Sequence, residues 1–173
     1  MAGSSPEPPV SIAVVNDLSA EAFTRYFGAV LEDSPHLAAR VAGRRPFVDG
    51  DAVADAFAKV VSELDTAAGL ALICAHPELG ARRPMAAASV EEQASAGLSD
   101  AEADVLTRLA AGNAAYRERF GFPFVLAVRG RTPEEILAVL EDRLGNEREV
   151  EVATALDQIA AIARLRVGQL VAT

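Results

Sequence analysis

The chain has 173 residues, of which 51% are hydrophobic, so it is long and apolar enough to form one compact core. Its 16 basic and 25 acidic residues give a formal net charge of −9. This sign repels nucleic-acid phosphates and anionic lipid headgroups. We therefore expect neither a nucleic acid nor a membrane as a partner.

The sequence also lacks the signals of export, of disulfides and of metal binding. No stretch approaches the roughly 20 consecutive apolar residues of a membrane-spanning helix, and residues 1–10 carry three prolines instead of a basic-then-apolar leader. Cys74 is the single cysteine, so neither an intramolecular disulfide nor a zinc cluster with His36 or His76 is available. We expect a cytoplasmic protein without a metal, with a disordered tail over residues 1–10 and a helical domain over residues 11–173.

Helical periodicity begins after the predicted tail. Ser19 is a suitable N-cap, and it precedes an apolar stripe with helical spacing: Phe23, Tyr26, Phe27, Val30 and Leu31. Pro35 suits the first position of a short helix that ends by Gly43. The next helices are predicted to begin at Asp51 and at Asp65 or Thr66, and the second of them must end near His76, because Pro77 disfavours α geometry in the residue before it.

Further helix starts are indicated by capping boxes, in which a side-chain oxygen and a glutamate three residues later satisfy each other's free amides. Three pairs fit this pattern: Ser89 with Glu92, Ser99 with Glu102, and Thr132 with Glu135. A last long helix from about Asn146 carries one apolar stripe: Val152, Leu156, Ile159, Ala163 and Leu170.

Only residues 122–128 resemble a β-strand, and a single strand has no partner in this sequence. We therefore expect a buried extended connector at this point. The sequence predicts an all-α protein, a single compact domain of seven or eight helices.

His76 lies where an apolar helix has to end. The C-terminus of a helix favours the imidazolium form of histidine, and a titrating ring beside a helix break can face a cleft. The alternative is a structural histidine that only ends the helix.

Ser89, Glu92 and Gln93 are spaced so that their side chains share one side of a helical turn. At a helix N-terminus such a turn would suit an anionic ligand. The alternative is an ordinary helix start.

Arg166 is predicted to point inward, because it lies within roughly 50° of the centre of the apolar stripe on the last helix, whereas Arg164 lies about 110° away. A buried guanidinium needs a partner. Both a buried carboxylate and an anionic ligand would serve.

No motif for nucleotides, for zinc or for a serine hydrolase is present. Instead, several blocks occur together in a distinctive order. They are Arg45-Pro46-Phe47, Ala75-His76-Pro77-Glu78-Leu79-Gly80, Ser89-x-x-Glu92-Gln93-x-x-Ala96-Gly97-Leu98, Asn113-x-x-Tyr116-x-x-x-Phe120-Gly121-Phe122-Pro123-Phe124-Val125, and Arg166. From about Val15 to Leu170 the chain resembles the decarboxylases of 2-oxo-4-hydroxy-4-carboxy-5-ureidoimidazoline (OHCU), which belong to urate degradation.

This resemblance implies an all-helical, cofactor-independent lyase that converts OHCU to (S)-allantoin, and it suggests a homodimer. His76 matches the catalytic histidine, and Glu92 matches the carboxylate beside it. The residues matching the family's substrate contacts are Pro77, Ser89, Gln93 and Arg166, with the backbone of Phe124, Val125, Leu126, Ala127 and Val128. Two other hypotheses stay open: a non-catalytic helical module that binds small anions, and a different decarboxylase or lyase on the same fold.

Overall fold

The computed structural model describes residues 8–80, 87–98 and 101–172, and these residues form α-helices joined by short connections. The all-α prediction is confirmed, with nine helices in the described part of the chain where seven or eight were expected. The helices are α1 Ile12–Asp17, α2 Ala20–Phe27, α3 Pro35–Ala42, α4 Gly50–Ser62, α5 Thr66–Ala75, α6 Ala87–Ser95, α7 Ala103–Phe120, α8 Pro133–Arg143 and α9 Arg148–Leu170.

The helices group into two compact units. The first unit comprises the described residues within Met1–Glu63 and Ala160–Thr173, and the second comprises those within Leu64–Ile159. Helix α9 contributes its N-terminal part to the second unit and its C-terminal part to the first.

The first unit is built around aromatic side chains. Phe23 and Phe27 on α2 are fully buried, with ring centroids 4.5 Å apart, and Phe57 on α4 lies 6.2 Å from Phe27. The Ser19 side chain caps α2 by accepting from the Ala22 amide, as predicted. This local bond fixes the start of the helix that carries the aromatic core.

Three details of the first unit differ from the sequence prediction. Helix α1 was not predicted. The N-cap of α4 is Asp49 rather than Asp51, because the Asp49 carboxylate accepts from the Ala52 amide and places Asp51 inside the helix. Of the predicted tail, residues 1–7 lie outside the described residues, and Val10 forms a parallel bridge with Val171.

The second unit contains the predicted helix start at Thr132, where both bonds of the capping box with Glu135 are present. The helix predicted to start at Ser99 begins three residues later, because Glu102 is the N-cap of α7. Ser99 itself lies outside the described residues. Buried aromatic side chains form the core of this unit: Tyr116, Phe120, Phe122 and Phe124.

Residues 122–128 follow the left-handed Gly121 that ends α7. These residues pair with no strand in the described part of the chain, so they form an irregular connection to α8. Their side chains are buried except for the half-buried Ala127. The predicted buried connector is therefore confirmed.

Across the portion of the chain covered by the structure, no helix is both long enough and apolar enough to cross a membrane.

Candidate active site

His76 stands immediately after α5, as its C-cap, and is only 3% exposed. Pro77 ends the helix at the predicted point, because the residue before a proline avoids α geometry. The His76 Nδ1 atom lies 2.9 Å from the carbonyl oxygen of Leu72. A carbonyl oxygen can only accept a hydrogen bond, so Nδ1 is the donor in this contact, and Nε2 is the other nitrogen of the ring.

The turn that follows His76 is held from two helices. Gln93 on α6 accepts from the Gly80 amide at 2.8 Å, and Asn113 on α7 donates to the Leu79 carbonyl at 2.9 Å. Gly80 has φ +75°, and a Cβ atom at this position would lie 3.1 Å from Leu109 Cδ2, so glycine suits the turn on both counts. These contacts fix the chain directly after the candidate catalytic histidine.

Ser89, Glu92 and Gln93 lie on the inward side of α6, as their spacing predicts. Ser89 and Gln93 are buried and Glu92 is half-buried, whereas Val90 and Glu91 are exposed. The capping box predicted for Ser89 and Glu92 is wrong, because α6 already begins at Ala87. A capping role therefore no longer explains Ser89 or Glu92, and both side chains stand in the body of the helix.

Residues 122–128 are tied to the neighbouring helices through their backbone. The Val125 carbonyl accepts from Arg143 Nη1 at 2.9 Å, and the Ala127 amide donates to Gln158 Oε1 at 3.1 Å. Arg143 also lies over the Phe124 ring, at 4.7 Å from its centroid.

Arg143 belongs to a buried network of polar side chains. Its guanidinium forms an ion pair with the fully buried Glu151 at 2.8 Å, and Glu151 also accepts from the Tyr116 hydroxyl and from Asn146. Burial alone would raise the pKa of Glu151, but the hydrogen bonds from Arg143, Tyr116 and Asn146 outweigh it and lower that pKa. Burial, and then the bond to Glu151, raise the pKa of Tyr116. The carboxylate is thus held in its charged form and the phenol in its neutral form.

Arg166 points inward, as predicted, and Arg164 is exposed. The structure provides one of the two partners that the sequence allowed, a buried carboxylate: Arg166 Nη1 lies 3.1 Å from Glu32 Oε2, and each residue is only 4% exposed. The same nitrogen donates to the Ala29 and Val30 carbonyls at 3.2 and 3.4 Å. The buried stripe of α9 is shifted by about one residue from the predicted one, and consists of Glu151, Ala155, Ile159, Ile162, Ala163, Arg166 and Val167.

The chain matches a known family over most of its length. The family model for OHCU decarboxylase matches residues 16–168, and this range spans both units. The chain belongs to the OHCU decarboxylase family. This family acts in urate degradation.

Named relatives support the assignment over nearly the whole chain. The 2-oxo-4-hydroxy-4-carboxy-5-ureidoimidazoline decarboxylase of Haloferax volcanii is 39% identical over 163 residues, which are 92% of this chain and 95% of that protein. The decarboxylase of the same name from Amia calva is 37% identical, with 91% of this chain and 92% of that protein covered. The uric acid degradation bifunctional protein of Bacillus subtilis is 36% identical, and there the match covers 91% of this chain and 32% of the relative.

Solved structures give the same fold. A crystal structure of (S)-allantoin synthase superposes with a TM-score of 0.77 at 25% identity, covering 94% of this chain and 54% of that chain. A crystal structure of OHCU decarboxylase in the presence of (S)-allantoin superposes with a TM-score of 0.71 at 23% identity, covering 88% and 98%.

Within this OHCU decarboxylase family member, the structure joins two predicted site elements directly: the turn after His76 and Gln93 of α6. The sequence did not point to three residues that contact predicted site residues: Glu32 pairs with Arg166, Arg143 donates to the Val125 carbonyl, and Gln158 accepts from the Ala127 amide. Because an inward arginine requires a partner, Arg166 indicated that a buried carboxylate could lie beside it. The sequence did not indicate that this carboxylate belongs to Glu32. No sequence pattern marks Gln158.

Proposed function

We propose that this chain is a carboxy-lyase that converts OHCU to (S)-allantoin and carbon dioxide without a cofactor. The observation that carries the proposal is the buried His76 ring, oriented through Nδ1 by the Leu72 carbonyl, in a chain of the OHCU decarboxylase family. His76 is assigned the proton-transfer role.

The substrate supplies its own electron sink. Its carboxylate leaves from a ring carbon that also bears a hydroxyl group and is next to a C=N bond. When the C–C bond to the carboxylate breaks, its electron pair forms a carbon–carbon double bond in the ring, and the imine nitrogen takes up the displaced pair with a proton. Loss of the hydroxyl proton and protonation of the neighbouring carbon on one face then give (S)-allantoin.

The protein's task is therefore to hold the substrate and to move protons at fixed positions. Nε2 of His76 is the atom proposed to exchange the proton, because Nδ1 is occupied by its bond to Leu72. Glu92 is proposed to orient either this ring or the substrate hydroxyl. A general acid/base group of this kind typically contributes about 10² to 10⁴ in rate.

The remaining predicted residues are proposed as substrate contacts. Ser89 and Gln93 are buried on the same side of α6 as Glu92, Pro77 follows the catalytic histidine, and the backbone of residues 124–128 is held by Arg143 and Gln158. Arg166 is proposed to anchor the polar groups of the substrate while Glu32 holds its guanidinium in place. A planar guanidinium suits such an anchor, since it can bind two acceptors side by side.

One observation favours a second candidate function. A non-catalytic module for small anions predicts that Arg166 serves an internal salt bridge, and Arg166 does pair with Glu32. A turnover experiment separates the two candidates, because only the enzyme produces a single enantiomer of the product.

The experiment supplies OHCU freshly made from urate by urate oxidase and the ring-opening hydrolase, and follows allantoin by circular dichroism. We expect a lasting signal of one sign with the protein and a racemic, silent product in its absence. A silent product in both samples would refute the enzymatic function. The cytoplasmic location and the homodimer are further proposals, and sedimentation of the purified chain tests the dimer.

A further inference from the structure

The contacts to residues 122–128 act on two consecutive peptide groups. Arg143 binds the Val125 carbonyl, which belongs to the peptide between residues 125 and 126, and Gln158 binds the Ala127 amide, which belongs to the peptide between residues 126 and 127. Both peptide bonds are trans, because Arg45-Pro46 is the cis bond found in the described residues.

Planarity transmits these two contacts to Leu126. In a trans peptide the carbonyl and the amide N–H point in opposite directions within one plane. Fixing the Val125 carbonyl therefore fixes the direction of the Leu126 N–H, and fixing the Ala127 N–H fixes the direction of the Leu126 carbonyl. Leu126 thus presents one donor and one acceptor whose directions are set by side chains of α8 and α9.

The two contacts differ in their surroundings. Arg143 is part of the buried ion pair with Glu151, so replacing it disturbs the core as well as the peptide. Gln158 is half-buried and neutral, and its side-chain oxygen accepts from the Ala127 amide. A change at Gln158 therefore tests the orientation of the peptide with little effect on the core.

We propose that Gln158 is a positioning residue for substrate binding, which acts by orienting the peptide between Leu126 and Ala127. This inference rests on the proposed function, in which residues 124–128 line the substrate ring. Gln158 does not touch the substrate; it sets the direction of a backbone acceptor that does. A ring bearing amide-like groups is sensitive to such a direction, since misplacement by about 1 Å can cost up to roughly 10²-fold in rate.

Three variants test the role of Gln158. Gln158→Met removes the acceptor and keeps an unbranched side chain of similar length, whereas Gln158→Glu keeps an oxygen that can accept from Ala127. Gln169→Met makes the same exchange at an exposed position of the same helix. For each protein kcat and KM for freshly made OHCU are measured together with the thermal midpoint.

We expect Gln158→Met to raise KM about tenfold while kcat changes less than about threefold. A tenfold change in KM is the size expected for the loss of one neutral hydrogen bond. Gln158→Glu should stay within about twofold of wild type in KM, and Gln169→Met should be unchanged. The inference is overturned if Gln158→Met keeps the wild-type KM, or if Gln158→Glu is impaired as much as Gln158→Met. If Gln158→Met unfolds, Gln158→Leu, which also lacks an acceptor, takes its place, and a wild-type KM in a folded Gln158→Leu protein overturns the inference. Absence of turnover in the wild type would refute the proposed function itself, and the inference with it.

Discussion

Replacing Arg166 is expected to cost far more stability than replacing Arg164, although the two residues lie on the same helix. Arg166 and Glu32 form a pair in which each residue is 4% exposed. Arg166→Met would leave the Glu32 carboxylate buried without this guanidinium, which typically costs about 3–5 kcal/mol. In a chain of this size each kcal/mol of lost stability lowers the thermal midpoint by roughly 2–4 °C, so the midpoint of Arg166→Met should fall by about 6–20 °C.

Arg164 provides the matched control. Its side chain is 49% exposed, and it pairs with the exposed carboxylates of Asp51 and Asp55. Such pairs contribute about 0–1 kcal/mol, so Arg164→Met should lower the midpoint by less than about 4 °C. Equal losses in the two variants would refute the difference in burial between the two arginines.

A double variant isolates the ion pair itself. Glu32→Gln combined with Arg166→Met removes both charges, so it should be more stable than the sum of the two single losses predicts. Urea unfolding at neutral pH measures all four proteins. Simple additivity would show that Glu32 and Arg166 do not interact in solution.

Three further predictions concern the second unit. Glu92→Gln should abolish most of the activity while leaving the thermal midpoint nearly unchanged, since α6 begins at Ala87 and Glu92 has no capping role. The control Glu91→Gln, at an exposed neighbouring residue, should change neither activity nor thermal midpoint. A fully active Glu92→Gln protein would show that the carboxylate is not catalytic. Gly80→Ala should lower both stability and activity more than Gly130→Ala. Both glycines have positive φ, but of the two only Gly80 has a side chain within 4 Å of the added Cβ. Equal losses of unfolding free energy in urea would contradict this prediction. The stability that Glu151 contributes should be complete above its ordinary pKa of 4.5 and should be lost as the pH falls through its lower folded-state pKa. The difference in unfolding free energy between wild type and Glu151→Gln should therefore shrink between pH 7 and about pH 3. A difference that stays constant over this range would contradict the prediction.

The parts of the fold that follow from local chemistry could be predicted. Pro77 ends α5 because of a steric clash with its immediate neighbour, and Thr132 with Glu135 begins α8 through bonds within one turn. Local patterns can also mislead. Ser89 and Glu92 have the spacing of a capping box, but the same spacing places two residues on one face anywhere in a helix, and here the helix starts two residues earlier.

The contacts that predicted site residues make with distant residues could not be predicted from local patterns. Periodicity placed Arg166 inward, but its partner Glu32 is 134 positions away in the chain. The Ala127 amide meets Gln158 across 31 positions. Neither contact has a local signature, because each depends on how separate elements pack. The family resemblance located the matched residues, such as His76 and Glu92, but not these supporting contacts.

His76 is proposed to move protons during a stereospecific decarboxylation, and the rest of the proposed mechanism depends on this role. The most direct test compares wild type with His76→Asn in the circular-dichroism assay for allantoin, with His36→Asn as the control at an exposed histidine. Because a general acid/base group typically contributes at least about 10²-fold, we predict a loss of that size in His76→Asn, with a racemic product, and a full signal of one sign in His36→Asn. A His76→Asn protein that keeps more than about a tenth of the wild-type rate and still forms one enantiomer would contradict the assignment.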